Sequence, residues 1–286
     1  MSYYKVLGLK REPFSTSPDP DFFYRSQEHK TALTNILIEI RLKRGLSVIL
    51  GDIGTGKTTL SRKLFQLLSD RGDILFRMIL DPTYDSEELF LSSLIRTFGI
   101  EISPNSNVLE LKDVMKDFLF QKGVNEKKTV VLVIDEAQKL NPLSLEVLRI
   151  LLNYETNEFK LLQLVILGQM ELLTHLTDTR NLMDRVSLVY TLSPFSFEET
   201  KEMIEFRIRQ AGYEGAEKLF QEETIKEIYR NTEGYPRRIA MLCHKALKLL
   251  VVKNRPVVDN EIIKEIVEHE ARSKWQRRNL LLKNSY

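Results

Sequence analysis

The nine residues Gly51, Asp52, Ile53, Gly54, Thr55, Gly56, Lys57, Thr58 and Thr59 set glycines, a lysine and hydroxyls at a spacing that can grip a phosphate chain. The pattern Gly-x4-Gly-Lys-Thr is that of a phosphate-binding loop, and its setting fits. An apolar run, 46–50, precedes it and a helix-like run, 60–68, follows. Glycines let the backbone curl until several N–H groups point into one concavity. The positive end of the following helix adds to the pull on an anion. Lys57 is expected to reach the β- and γ-phosphates, and the Thr58 hydroxyl to hold Mg²⁺. The loop predicts a bound nucleoside triphosphate.

The second chemical signal is the pair Asp135 and Glu136, at the end of the β-branched run 129–134. Such a run reads as a strand buried on both faces, as in a parallel sheet covered by helices. Ligands sit at the carboxyl ends of strands in sheets of that kind. Asp135 is expected to hold Mg²⁺, through its waters, and Glu136 to polarise the attacking water as general base. An acidic pair that only solvates a strand end is the alternative. Gln169 follows a third buried run, 161–167. If that strand lies between the other two, Gln169 reaches between the γ-phosphate and the water. Capping the local turn is the competing reading.

Five strand-like runs (46–50, 74–80, 129–134, 161–167 and 188–192) alternate with amphipathic helices as far as Ser193, which predicts an α/β fold with a parallel sheet. Arg180 and Arg185 fall in a short helical segment before the last of these runs. Beyond Ser193 the texture is helical only. Ser196-Phe-Glu-Glu199 is a capping box, Pro236 suits a first helical turn, and Asp259 caps a last helix through Arg272. The expected domains are an aromatic, proline-rich arm with the first helix (1–44), a nucleotide-binding core (45–193), an all-helical lid (194–272) and a basic tail (273–286). The arm carries Tyr3, Tyr4, Phe14, Phe22, Phe23 and Tyr24 among Pro13, Pro18 and Pro20, and reads as an extended, turning segment. Its aromatics are expected to bury on the nucleotide-binding domain, as a strap or as a wall of the adenine pocket. The end of the chain carries Arg272, Lys274, Arg277, Arg278 and Lys283, with Trp275 and no acid. That suits a nucleic-acid or anionic surface, or a solvated, frayed helix.

Bulk composition narrows the classes. The chain has 286 residues, 43% hydrophobic and 29% charged, with a net charge of +2, which is ordinary for a globular protein and too balanced to argue for nucleic acid. One cysteine, Cys243, excludes a disulfide framework. No apolar run approaches a membrane span and no signal peptide is read at the start, so a cytoplasmic location is expected.

These motifs together resemble an AAA+ ATPase, and more narrowly the ExeA/GspA family associated with type II secretion. The resemblance spans about residues 3–270. It includes Gly8–Phe14, Pro18–Tyr24, the phosphate loop, Val133-Ile-Asp-Glu-Ala-Gln138, Asn153-Tyr-Glu-Thr156, Leu167–Leu172 and Gly234-Tyr-Pro-Arg-Arg-Ile239. It implies a P-loop three-layer sandwich with a five-stranded sheet of order 5-1-4-3-2, and ATP with Mg²⁺ as ligands. It makes Asp135 and Glu136 the Walker B pair, Gln169 the sensor-1 residue and Arg237, beside Pro236, the lid sensor-2 arginine. Arg185 or Arg180 becomes a finger acting on a neighbouring subunit. A homo-oligomer, as a hexamer-like ring or helical filament, is implied, with a secretion component as protein partner. Long secretion-type members continue into a membrane span and a cell-wall-binding domain, whereas this sequence ends soon after the lid. Similar soluble ATPases accompany transposases and resemble the TnsC/TniB/MuB regulators that assemble on DNA, so a transposase partner and DNA are the alternative expectation. A nucleotide switch with little hydrolysis is a third.

Overall fold

The computed structural model describes residues 2–15, 17, 19–104, 106–179 and 181–283, with side chains described as far as Arg272. Pro18, Arg180, Trp275 and the basic side chains from Lys274 onward lie outside that description. The chain divides into two units, Gln27–Ser193 and the stretch up to Ser26 joined with everything from Pro194. The latter opens with a one-turn helix, α1 (Tyr3–Val6).

The unit Gln27–Ser193 alternates helix and strand. It runs α2 (Gln27–Leu42), β1 (Leu46–Gly51), α3 (Lys57–Leu68), β2 (Ile74–Ile79), α4 (Glu87–Thr97), α5 (Val108–Phe120) and β3 (Thr129–Ile134). It continues with α6 (Pro142–Leu151), β4 (Leu162–Gly168), α7 (Glu171–Asp178) and β5 (Val186–Leu192). The strands form one parallel sheet in the order β2-β3-β4-β1-β5, which is the expected order read from the other edge. Every residue of β1 and β4 is buried, as a parallel strand covered on both faces requires. The edge strand β5 instead alternates between half-buried and exposed positions. Leu50 pairs with Gly168 and Ile134 with Ile166, so the carboxyl ends of β1, β4 and β3 lie side by side. Leu46, Val48, Leu132, Leu164, Phe90 and Leu148 share the core that fixes this alignment. Helix α7 is an addition to the expected elements. With eight residues and two buried leucines, Leu172 and Leu176, it is too short to show a clear period.

The other unit holds α8 (Phe197–Gln210), α9 (Glu222–Thr232), α10 (Pro236–Val252) and α11 (Asn260–Lys283). Ser196 and Glu199 make both bonds of the expected capping box. The turn into α10 demands glycine at 234: φ is +76°, and a Cβ there would lie 2.0 Å from the Phe195 carbonyl oxygen. Two expectations change here. Leu9, Phe14 and Phe22 bury in the same core as Phe220, Ile239 and Cys243, so these arm side chains complete the helical unit instead of lying on the nucleotide-binding domain. Phe14 meets Phe220 edge-on with ring centroids 5.9 Å apart. An aromatic-rich arm announces that it must bury, but its sequence does not name the surface. Helix α11 also runs past Arg272 to Lys283, because no glycine or proline interrupts it.

Candidate functional site

The chain leaves β1 at Gly51 and enters α3 at Lys57 through Gly54 and Gly56, both left-handed with φ of 89° and 101°. Left-handed backbone is cheap only for glycine. The glycines are also demanded by space. A Cβ at Gly51 would come 2.7 Å from Thr55 Oγ1, and one at Gly56 would come 2.8 Å from His29 Nε2. The Thr55 hydroxyl donates to the Asp52 carbonyl at 2.9 Å and closes the loop. His29, buried in α2, brings Nε2 to 3.0 Å from the Thr55 carbonyl. A carbonyl only accepts, so Nε2 carries the proton. Nothing in the spacing of the sequence marks His29, because only the fold carries α2 to the loop. His29→Ala leaves a buried carbonyl unpaired and loosens the loop. It is expected to weaken nucleotide binding about tenfold, measured by equilibrium titration with a fluorescent ATP analogue.

Lys57 is buried, and its ammonium donates to the carbonyls of Gly51 at 2.7 Å and Asp52 at 2.9 Å. Burial draws its pKa below the usual lysine range, opposed by the negative charges of Glu136, Asp135 and Asp52. Asp135, 1% exposed, follows directly on β3. Burial raises its pKa, while hydrogen bonds from the Thr58 hydroxyl and the Glu136 N–H favour the ionised form. Ser61, missed in the sequence, supports both partners: its hydroxyl bonds the Thr58 carbonyl at 2.9 Å and lies 3.4 Å from Asp135 Oδ2. Glu136 turns the chain with a left-handed backbone, φ 52°, and its Oε2 accepts from Gln138 Nε2 at 2.8 Å. Gln138 Oε1 in turn accepts from the backbone N–H of Gln169 at 3.2 Å.

The fold thus gathers the loop 51–59, Asp135, Glu136 and Gln169 at neighbouring strand ends. The donor set suits a hard divalent cation in part. Thr58 and Asp135 offer oxygens already in contact, yet among the described residues no group of three or more His, Cys, Asp or Glu side chains could hold a metal. Mg²⁺ typically takes one or two protein oxygens and completes its shell with phosphates and water, so the residues fit it together with a triphosphate. Arg185 ends a 3-10 turn, Met183–Arg185. Its Nε donates to Asn153 Oδ1 at 3.0 Å, and its guanidinium also reaches the Asn181 carbonyl. Pro236 and Arg237 occupy the first turn of α10, with Arg237 exposed. Arg180 lies outside the described residues.

A family model described as an AAA domain matches residues 40–176. Over 247 residues the chain is 36% identical to the General secretion pathway protein A of Aeromonas hydrophila, covering 86% of this chain and 44% of that protein. The family match assigns an AAA domain to residues 40–176 of the chain. Solved AAA+ structures share its fold: CDC6P of Pyrobaculum aerophilum superposes with a TM-score of 0.63 at 21% identity, covering 89% of this chain and 68% of that one. Drosophila ORC bound to DNA gives 0.64 at 18% identity, covering 92% and 65%. At these identities the likeness is one of fold. The chain spans under half the length of the curated relatives it matches. Among its described residues no helix is long and apolar enough to cross a membrane.

Proposed function

We propose that this chain is an AAA+ ATPase whose hydrolysis drives assembly or remodelling of a partner complex. The observation that carries the reading is the contact between the Thr58 hydroxyl and the buried Asp135 carboxylate, with Lys57 under the charge of Glu136. One strand end thereby supplies a phosphate grip and its second neighbour supplies acids. The loop amides hold the triphosphate, Lys57 leaves the carbonyls of Gly51 and Asp52 to reach the outer phosphates, and Thr58 and Asp135 hold Mg²⁺. Bound there, the cation neutralises charge on the phosphate oxygens. Glu136 takes the proton of the attacking water, and Gln169 orients that water. Arg237, beside Pro236 in the first turn of α10, takes the sensor-2 role that the resemblance implies. The protomers act as a homo-oligomer, in a ring or a filament. The protein partner is a secretion component, as the name of the Aeromonas relative suggests, and the location is cytoplasmic.

Lys57→Ala tests the grip. Charge-assisted hydrogen bonds contribute about 1.5–3 kcal/mol. The variant should therefore bind ATP about ten- to a hundredfold more weakly by calorimetry. Unchanged affinity would remove the loop as the binding site.

The basic, acid-free stretch after Glu270 favours a second reading, an ATP-dependent DNA-binding regulator paired with a transposase. Its test is DNA affinity in ATP across a salt series. Phosphate contacts give a log–log slope approaching one per contact. No binding at low salt retires that reading.

A further inference from the structure

We infer that Gln138 is a positioning residue for Glu136, tying the aim of that carboxylate to the end of β4. The inference rests on the proposal that Glu136 is the base. Gln138 sits in the 3-10 turn Ala137–Lys139, directly after Glu136. Its amide nitrogen donates to Glu136 Oε2 at 2.8 Å, and its amide oxygen accepts from the Gln169 N–H at 3.2 Å. These partners fix the sense of the amide. A carboxylate only accepts and a backbone N–H only donates, so a flipped amide would lose both bonds at once.

The side chain therefore spans from the acid after β3 to the first residue beyond β4, the neighbouring strand. Space is kept for it by Gly168, where a Cβ would stand 3.2 Å from Gln138 Oε1 and 2.6 Å from Leu172 Cδ2. Glu136 itself holds a backbone conformation that side-chain-bearing residues seldom adopt. Such a conformation persists only where the surroundings over-determine it. The charge-assisted bond from Gln138 fixes one carboxylate oxygen, and a shift of the Gln169 backbone is passed through the same amide to Glu136. Gln138 touches neither phosphate nor water in this scheme. It acts through Glu136.

Two variants separate aiming from bracing. Gln138→Glu keeps the length and the acceptor toward Gln169 but sets a carboxylate against Glu136. Gln138→Leu removes both bonds. Steady-state ATPase rates of the full chain are read beside analogue affinity and thermal midpoint. Both variants are expected to lower kcat about tenfold or more, with KM for ATP and analogue affinity near wild type. In a Glu136→Gln background, Gln138→Leu should lower the residual rate no further. Wild-type turnover by Gln138→Glu overturns the inference, because bracing β4 needs only the acceptor. A parallel fall in kcat and affinity overturns it as well. A wild-type chain that binds ATP without hydrolysing it overturns the ATPase reading and takes this inference with it, whereas the other two failures leave the ATPase standing.

Discussion

Glu136→Gln is expected to lower ATP turnover by about 10²–10⁴ while ATP stays bound, the range a positioned general base contributes. The substitution keeps size and shape and removes the basic oxygen. The contacts that hold substrate lie elsewhere: the loop 51–59, the Lys57 ammonium and the Thr58–Asp135 pair are untouched. The Gln138 amide still finds an acceptor, because a glutamine at 136 can present its own carbonyl. Single-turnover hydrolysis read against analogue binding checks the outcome, and the variant should accumulate as an ATP-loaded oligomer on gel filtration. Full turnover by Glu136→Gln removes it as the base and returns the acidic pair to solvating a strand end.

Arg185→Ala carries the larger expected loss, about 10³–10⁵ in rate, if Arg185 is the finger offered to a neighbouring subunit. The side chain is held beside Asn153 by its own chain, and Asn153 opens one of the segments on which the family resemblance rests. An arginine held from its own side lies ready at low entropic cost. Nucleotide affinity of the isolated protomer should not change, since the loop and acids belong to the same subunit as the bound ATP. Arg180→Ala is the parallel experiment. Mixing the finger variant with Lys57→Ala supplies the decisive readout: in a mixed oligomer each lacks what the other brings, so partial activity should return. If Arg185→Ala and Arg180→Ala both hydrolyse normally, the inter-subunit argument is wrong.

How much could be read in advance follows from the range of each interaction. The loop, β1, β3 and the Ser196–Glu199 cap are written in contiguous residues, because curled backbone, buried strand and helix cap each need neighbours in sequence. The sheet order was legible only through the family resemblance, because an acid pair and a phosphate loop on separate strands do not by themselves say which strand lies between them. His29 and Ser61 were not legible. A histidine or a serine in a helix is ordinary, and only tertiary placement puts them against Thr55 and Asp135. Gln138 stood inside a recognised motif without a role, because its two partners sit on different elements. The arm misled for the same reason: Phe14 and Phe22 demand burial, and the helices that provide it come more than 170 residues later.

That last distance has a consequence for how the molecule comes into being. Phe14 and Phe22 leave the ribosome early, but their packing partner Phe220 follows only after the whole of Gln27–Ser193 has been made. At about 5–20 residues per second, that is a wait of roughly ten to forty seconds. During it the sheet can close on its own, while the leading segment trails greasy side chains with nowhere to go. A chaperone that clasps such a segment, or a stalled ribosome, would therefore act on the helical unit and spare the sheet.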